Sequence, residues 1–495
     1  MTTQYDPEKG HIEEFDKLEV SPVKDTDVAA TISQSSGRGT GIEANSSQAL
    51  QISVETERSI RRKLDRRLLP LVAFLYLLAY LDRGNIGNAN IAGLSKDLHI
   101  SGPEYQWLLT IFYIAYIFFE WFALMWKIFP PHIWATLCVV GWGLASTLQA
   151  AAYSWSGMMA ARFFLGFFEA GYGPGIPYLL SFFYLRHEIG FRIGLFLSAA
   201  PLATCFAGAL AYGITSDKTP AIENWRILFI VEGLPCFLAA ALTFFFLPDS
   251  PEKARFLTEE EKGAARARAV RQVGTGGHES EMSYLLALMY FSCNVSFSSL
   301  PVFLPTIIKA MGYTAINSQG LTAPPYFVAF ILVILTTRIS DRTQQRGITI
   351  FILSLIAFTG YAMLASSKIV AVRYTGVFLA AAGVFPSIGN ILPWVLNNQG
   401  SDTRRGMGIA ILNFIGQCGP LLGTRLFPEG DGPYYSKGLW VCAAFMLFNA
   451  FLAATLRCLL VWENRKLDEK YGERDESVKT RVGEENDGPR FRYVL

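Results

Sequence analysis

Apolar runs long enough to cross a bilayer recur twelve times along this chain, and no other feature restricts its fold as much. A spanning helix needs about 20 mostly apolar residues. The runs fall at 68–88, 107–126, 133–152, 159–184, 191–214, 225–247, 284–308, 323–341, 348–366, 371–396, 406–427 and 438–461. They form two groups of six around a polar connection. Only 17% of the 495 residues are charged, and these gather at the two ends and in that connection. The expectation is an all-α membrane protein with twelve transmembrane helices in two pseudo-symmetric six-helix bundles. A net charge of +2 gives no reason to expect a nucleic-acid partner.

An even number of spans puts both termini on one side. The basic cluster Arg58–Arg67 directly precedes the first run, so the positive-inside rule assigns that side to the cytosol. Arg186 and Arg192, then Lys253 to Arg271, then Arg338, Arg342 and Arg346, then Arg404 and Arg405 fall in loops expected on the same side. No signal peptide precedes the first run, so the first helix would act as the targeting signal. The expected divisions are a disordered cytosolic tail (1–57), a first bundle (58–248), a cytosolic linker with short amphipathic helices (249–283), a second bundle (284–462) and a solvated cytosolic tail (463–495). In the linker, Thr258 followed by Glu259, Glu260 and Glu261 is a helix-start pattern, and Gly274–Gly277 reads as a flexible break. Seven cysteines, at 138, 205, 236, 293, 418, 442 and 458, lie in apolar runs without Cys-x-x-Cys spacing and read as buried free thiols.

Within the fourth run, Arg162 and Glu169 are seven residues apart and share a helix face, and Gly166 and Gly173 leave room for a neighbouring backbone. Ionisable groups at this depth cost about 2.5–3.5 kcal/mol each unless a partner or a wet cavity receives them. The first run carries Asp82 and Arg83, roughly 21–22 Å above its inner end by helical rise. In the antiparallel fourth run, Arg162 and Glu169 lie about 5 Å and 15 Å below the outer surface. Both an Asp82–Arg162 pair and an Arg83–Glu169 contact are therefore available if these helices face each other. Arg83 offers a carboxylate a planar two-point match. The second half carries neutral polar groups instead. Asn294, Asn413 and Gln417 are candidates to line a cavity, or to form interhelical hydrogen bonds worth about 0.6 kcal/mol. Tyr113 is a further candidate contact. Glu120 reads as a snorkelling or loop-pairing group, and Arg226 and Glu232 as packing groups of the sixth helix. Asp341, Arg342 and Arg346 read as a cytosolic gate, or simply as a positive-inside signal. No histidine lies at membrane depth, and there is no catalytic motif, Walker loop, cofactor motif or metal-ligand spacing.

Several stretches together resemble one family. They are Leu81–Ala89, Arg162–Gly171, Trp225 and Arg226 with Glu232–Pro235, Leu247–Pro251, Ser340–Arg342 with Arg346 and Gly347, and Phe427 and Pro428 with Gly432–Tyr435. The chain is similar, from 68 to about 470, to the major facilitator superfamily, in its fungal anion:cation symporter branch of allantoate, nicotinate and pantothenate permease-like proteins. That resemblance implies proton-coupling carboxylates at Asp82 and Glu169, an anion anchor at Arg83 and a charge partner for the acidic groups at Arg162. It also implies a monomeric transporter in the lipid bilayer, expected in the plasma membrane, that moves a small organic anion with protons. The basic loop after the second helix departs from the family's pattern, reduced here to Lys127–His132. Export of an acidic metabolite on the same site, and sensing without transport, are the competing expectations; an enzyme is not expected.

Overall fold

The computed structural model describes residues 53–217, 220–271, 282–398, 402–472 and 491–495. The expected tail up to residue 52 and the Gly274–Gly277 break lie outside the described residues. Contacts divide the chain into Met1–Val54 and Glu55–Leu495, and the described elements belong almost wholly to the second unit.

Among the described residues all regular structure is helical. The helices are α1 (Val54–Ile91), α2 (Leu94–Asp97), α3 (Gly102–Phe118), α4 (Met125–Ile128), α5 (Pro131–Gln149), α6 (Trp155–Ala170), α7 (Gly175–Phe183), α8 (Arg186–Thr215), α9 (Asn224–Phe246) and α10 (Glu259–Arg271). After these come α11 (Met282–Ala310), α12 (Ala315–Gly320), α13 (Ala323–Thr343), α14 (Arg346–Ser366), α15 (Val370–Asn398), α16 (Asp402–Gly416), α17 (Cys418–Gly423) and α18 (Ser436–Tyr471). Each of the twelve apolar runs lies in helix for most of its length. Among the described residues, seven stretches are individually long and apolar enough to cross a membrane, and an eighth is formed by Gly102–Phe118 and Glu120–Ile128 across a 44° bend. Three of the other four fall short for local reasons. α1 carries Asp82, Arg83 and the basic cluster. The fourth run is cut into α6 and α7 by turns over Gly171–Pro174, and the eleventh into α16 and α17 at Gln417. Large apolar side chains such as Phe118, Leu238, Phe245 and Phe451 are exposed, the expected complement of a lipid surface.

A break in a span frees backbone groups that hydrocarbon cannot satisfy. The carbonyl of Gly171 is met by two indoles, Trp126 Nε1 at 2.6 Å and Trp134 Nε1 at 3.2 Å. Close approach is built from glycine. A Cβ on Gly166 would stand 2.3 Å from the Phe112 carbonyl oxygen of α3, and one on Gly173 would stand 2.3 Å from the Tyr116 hydroxyl. The neighbour that these two glycines admit is therefore α3.

Three sequence expectations change. α18 continues to Tyr471, well past Glu463, and Phe491–Leu495 is docked rather than solvated. Asn464 and Asn398 each offer an amide donor and acceptor to this segment, at 2.8–3.1 Å, Trp394 Nε1 donates to the Val494 carbonyl at 2.7 Å, and the first amide of α14 donates to the Leu495 carbonyl at 2.5 Å. All seven cysteines are free, but Cys205 and Cys418 are only half-buried and Cys458 is exposed. Glu120 does not snorkel. It is buried at the bend after α3, and neither carboxyl oxygen has a hydrogen-bond partner.

The linker helix α10 begins as its sequence suggests. Thr258 Oγ1 accepts from the Glu261 amide at 3.3 Å, and Glu261 Oε2 accepts from the Thr258 amide at 2.9 Å. Lys63 and Ser59 of α1 also donate to Glu261, both at 2.7 Å. Burial opposes the charged form here, but the hydrogen bonds from Lys63, the Thr258 amide and Ser59 outweigh it and hold the carboxyl at about 2. The folded value lies below the ordinary 4.5, so the tie is complete above that pH and is lost as pH falls toward 2. Thermal unfolding compared at pH 6 and pH 3 should show a larger loss for the native chain than for Glu261→Gln; equal losses would contradict the assignment.

Candidate functional site

α1 sets the geometry. Tyr76, Tyr80, Arg83 and Gly87 fall on one face by helical spacing, whereas Asp82 lies about 100° round from Arg83. The two consecutive charges must therefore meet different partners. Arg83 meets α6: its Nε and Nη2 donate to Glu169 Oε2 at 3.1 and 2.7 Å. Asp82 turns to the other side, where Ser146 Oγ of α5 donates to it at 2.6 Å and Cys236 Sγ of α9 at 3.2 Å. The Asp82–Arg162 pair that the depths allowed is thus absent. Arg162 is buried and donates to backbone carbonyls instead, Leu108 at 3.3 Å and Arg83 at 3.5 Å. The Phe112 ring lies 5.0 Å from the Arg83 guanidinium and 5.1 Å from that of Arg162, and Tyr116 also faces Arg83 at 5.0 Å.

The site is pre-organised but not fully paired. Glu169 Oε1 has no hydrogen-bond partner, so the carboxylate spends one oxygen on Arg83 and keeps the other free. A further carboxyl, Glu232 of α9, is buried with neither oxygen partnered. The packing role expected of Glu232 is therefore incomplete; its neighbour Arg226 does fill one, with Nη1 donating to the carbonyls of Ala150 at 2.6 Å and Ala152 at 2.9 Å.

A central cavity of about 30 Å³ adjoins this cluster. The five residues expected to meet a substrate, Arg83, Tyr113, Asn294, Asn413 and Gln417, all line it. Arg83, Tyr113 and the tyrosines at 76 and 116 come from the first half of the chain, the two asparagines and the glutamine from the second. Asn294 also donates to the Gly416 carbonyl at 3.1 Å, so it is both an interhelical bond and a wall. Glu169, Asp82 and Arg162 stand behind the wall rather than in it. Sequence reasoning passed over Tyr76 and Tyr290, although Tyr76 is seven residues from Arg83 on the same face and could have been found that way.

The cavity is closed at both ends. On one side Tyr80 Oη donates to the Phe297 carbonyl at 3.1 Å, Gln319 Nε2 donates to the Asn88 carbonyl at 3.2 Å, and a Cβ on Gly87 would stand 2.4 Å from the Val302 carbonyl. At the end that carries Arg58–Arg67, Arg346 Nη2 donates to Asp341 Oδ1 at 2.6 Å, and this pair lies against Gly190 of α8. Arg346 is fully buried, so Asp341 and Arg346 join in a contact between the two halves. Arg342, expected with them, is exposed and forms no ion pair among the described residues. A volume of about 30 Å³ holds only two or so waters, so the conformation is an occluded one.

Residues 72–424 match the family model described as Major Facilitator Superfamily. The chain is 35% identical to the "MFS transporter prlL" of a fungal species, over 84% of this chain and 89% of that one. It is 30% identical to the "High-affinity nicotinic acid transporter" of Saccharomyces cerevisiae, over 88% and 85%. Among solved structures, the proton:xylose symporter XylE shares the fold with a TM-score of 0.62 at 14% identity, covering 78% of this chain and 95% of that one. With the helical architecture, the central cavity and these relatives together, the chain is a membrane transporter, not an enzyme, and belongs to the Major Facilitator Superfamily, alongside these fungal members.

Proposed function

We propose that the protein is a proton-coupled symporter of a small organic anion, a carboxylate or vitamin-like acid, working by alternating access. One observation carries this reading: among the described residues Arg83 is the only charged side chain lining the central cavity, and every other polar lining group is a neutral tyrosine, serine, asparagine or glutamine. A lone guanidinium on an aromatic wall selects an anion, and a planar carboxylate fits its donor fork best. The nicotinic acid transporter among the relatives agrees in ligand chemistry.

Coupling follows from competition for Arg83. Glu169 already occupies its Nε and Nη2, so a substrate carboxylate gains those donors only when Glu169 gives them up. A proton taken up on Glu169 removes the competing charge, and Arg83 turns to the substrate. Proton and anion then load together, and neither leaves an uncompensated charge in a dry site. Asp82, tied to α5 and α9, would register the same event on the rear of α1. Arg162 would hold the helix carbonyls around this centre and balance its acidic groups. Asp341 and Arg346 would latch the end near Arg58–Arg67, taken as cytosolic, and release when that end opens. The proposal includes both termini on the cytosolic side and residence in the plasma membrane.

The test is uptake of labelled nicotinate and a panel of small carboxylates into vesicles holding the purified protein, with and without an inward proton gradient. For a transported member of the panel, the gradient should accelerate uptake in the native chain, and Glu169→Gln should lose that acceleration, by roughly tenfold or more. Gradient-driven uptake that survives in Glu169→Gln would overturn the coupling. Transport of neutral compounds only would overturn the anion assignment.

A further inference from the structure

A second cavity, of about 340 Å³, opens at the end that carries Arg58–Arg67, between the foot of α1, the end of α7 and the linker helix α10. It is larger than the central cavity and shares no residue with it. Its floor is apolar, formed by Ile60, Leu64, Phe182 and Leu185. Its polar lining includes two guanidiniums, Arg266 and Arg268, and one carboxylate, Glu252.

Arg268 is unusual. It is 97% buried, at 3% exposure, yet its Nη1 has no hydrogen-bond partner. Its Nη2 donates to Glu188 of α8, but Arg61 Nη1 donates to the other oxygen of the same carboxylate at 3.3 Å. Among the described residues, two guanidiniums thus share this one carboxylate, beside an unused donor. Of the nearby acids, Asp65 is held by Arg192 and Glu261 by Lys63. Glu252 is engaged by Arg266 at 2.7 Å, in an exposed ion pair of the kind that contributes little and exchanges readily. A buried donor left empty carries the full desolvation penalty of that group, which an anionic ligand would relieve.

We propose that this cavity is a binding site for a phosphate monoester, with the phosphate on Arg268 Nη1 and on Arg266, and the organic part on the apolar floor. A phosphate supplies enough acceptor oxygens for both guanidiniums and enough charge to displace Glu252 from Arg266. The chemistry has two sources, the phosphorylated headgroup of an anionic lipid and a free phosphate ester. The place favours the lipid, because the basic foot of α1 is where anionic headgroups concentrate. Occupancy fixes α10 against α1 and α7, so the site would tune how easily that end opens. The proposal does not depend on the reading of the central cavity.

The experiment is thermal unfolding of the purified full chain in detergent. The probes are dioctanoyl phosphatidylinositol 4-phosphate, water-soluble inositol 1,4-bisphosphate, and dioctanoyl phosphatidylcholine as control. Well above its dissociation constant, the phosphorylated lipid should raise the midpoint by roughly 3 °C or more, and phosphatidylcholine should not. A rise with both phosphorylated probes supports the site with the phosphate ester alone sufficient; a rise with the lipid only supports it with the lipid as ligand. Arg268→Gln should abolish the rise. If that variant does not fold, Ala265→Phe, which fills the cavity from α10 and leaves the Arg268–Glu188 pair in place, should abolish it instead. No rise in the native chain, an equal rise with phosphatidylcholine, or an undiminished rise in Ala265→Phe would overturn the proposal.

Discussion

Replacing Arg83 by alanine should reduce anion uptake by about 100-fold or more. The substitution removes two charge-assisted donors from the cavity wall, a loss of roughly 3 kcal/mol and so about two decades of affinity. It also strands Glu169, which is buried and would keep no hydrogen-bond partner. An uncompensated buried charge costs about 3–5 kcal/mol, so the single variant should also be less abundant in the membrane. The double variant Arg83→Ala with Glu169→Gln separates the two effects. It should recover abundance, because no charge is stranded, while uptake stays lost, because the anchor is still missing. Surface abundance and transport rate, measured on the same cells, decide the matter. Near-native uptake in the double variant would show that Arg83 does not hold the substrate.

Gly166→Val should be strongly damaging to the fold. A Cβ there would stand 2.3 Å from the Phe112 carbonyl oxygen and 3.1 Å from its carbon, and both are backbone atoms that cannot rotate away. α3 and α6 must separate, at a cost of roughly 3 kcal/mol or more. The damage reaches the site, because the Phe112 ring that faces both guanidiniums rides on the displaced turn. The unfolding midpoint should fall by about 6 °C or more, with transport lost in parallel. Gly213→Ala, which has nothing within 4 Å of its new Cβ, is the control and should leave both near native. A midpoint for Gly166→Val within about a degree of native would mean that the helices are not as closely packed as described.

The twelve helical runs could be read from the sequence because hydrocarbon demands length and apolarity together, and both are properties of a local window. Their interruptions were harder to read. In the sequence Gly171–Pro174 reads as part of one continuous span, although its glycines and proline are break signals, because the two indoles that make the break tolerable come from Trp126 and Trp134, distant in the chain. By depth alone Asp82 and Arg83 can both reach the fourth span, whereas helical geometry turns adjacent residues about 100° apart. That angle was available from the sequence; the identities of Ser146 and Cys236 as the groups waiting behind α1 were not. The cavity wall was legible where a polar residue stood out in an apolar run, as Asn294, Asn413 and Gln417 do. It was not legible where the lining residue was one aromatic among many, as with Tyr290. Phe491–Leu495 gave no signal at all, being five residues whose partners lie on three separate helices.

The two indoles on the Gly171 carbonyl have an optical consequence. Trp126 and Trp134 are both buried against the kink in the fourth span, and indole emission responds to the loss of a hydrogen bond and to the arrival of water. If that kink straightens or slides when the occluded form opens, the native protein carries its own fluorophores for the event. The difference between emission spectra of the native chain and Trp126→Phe, recorded as a transported anion is titrated in, would follow the conformational cycle without any attached dye.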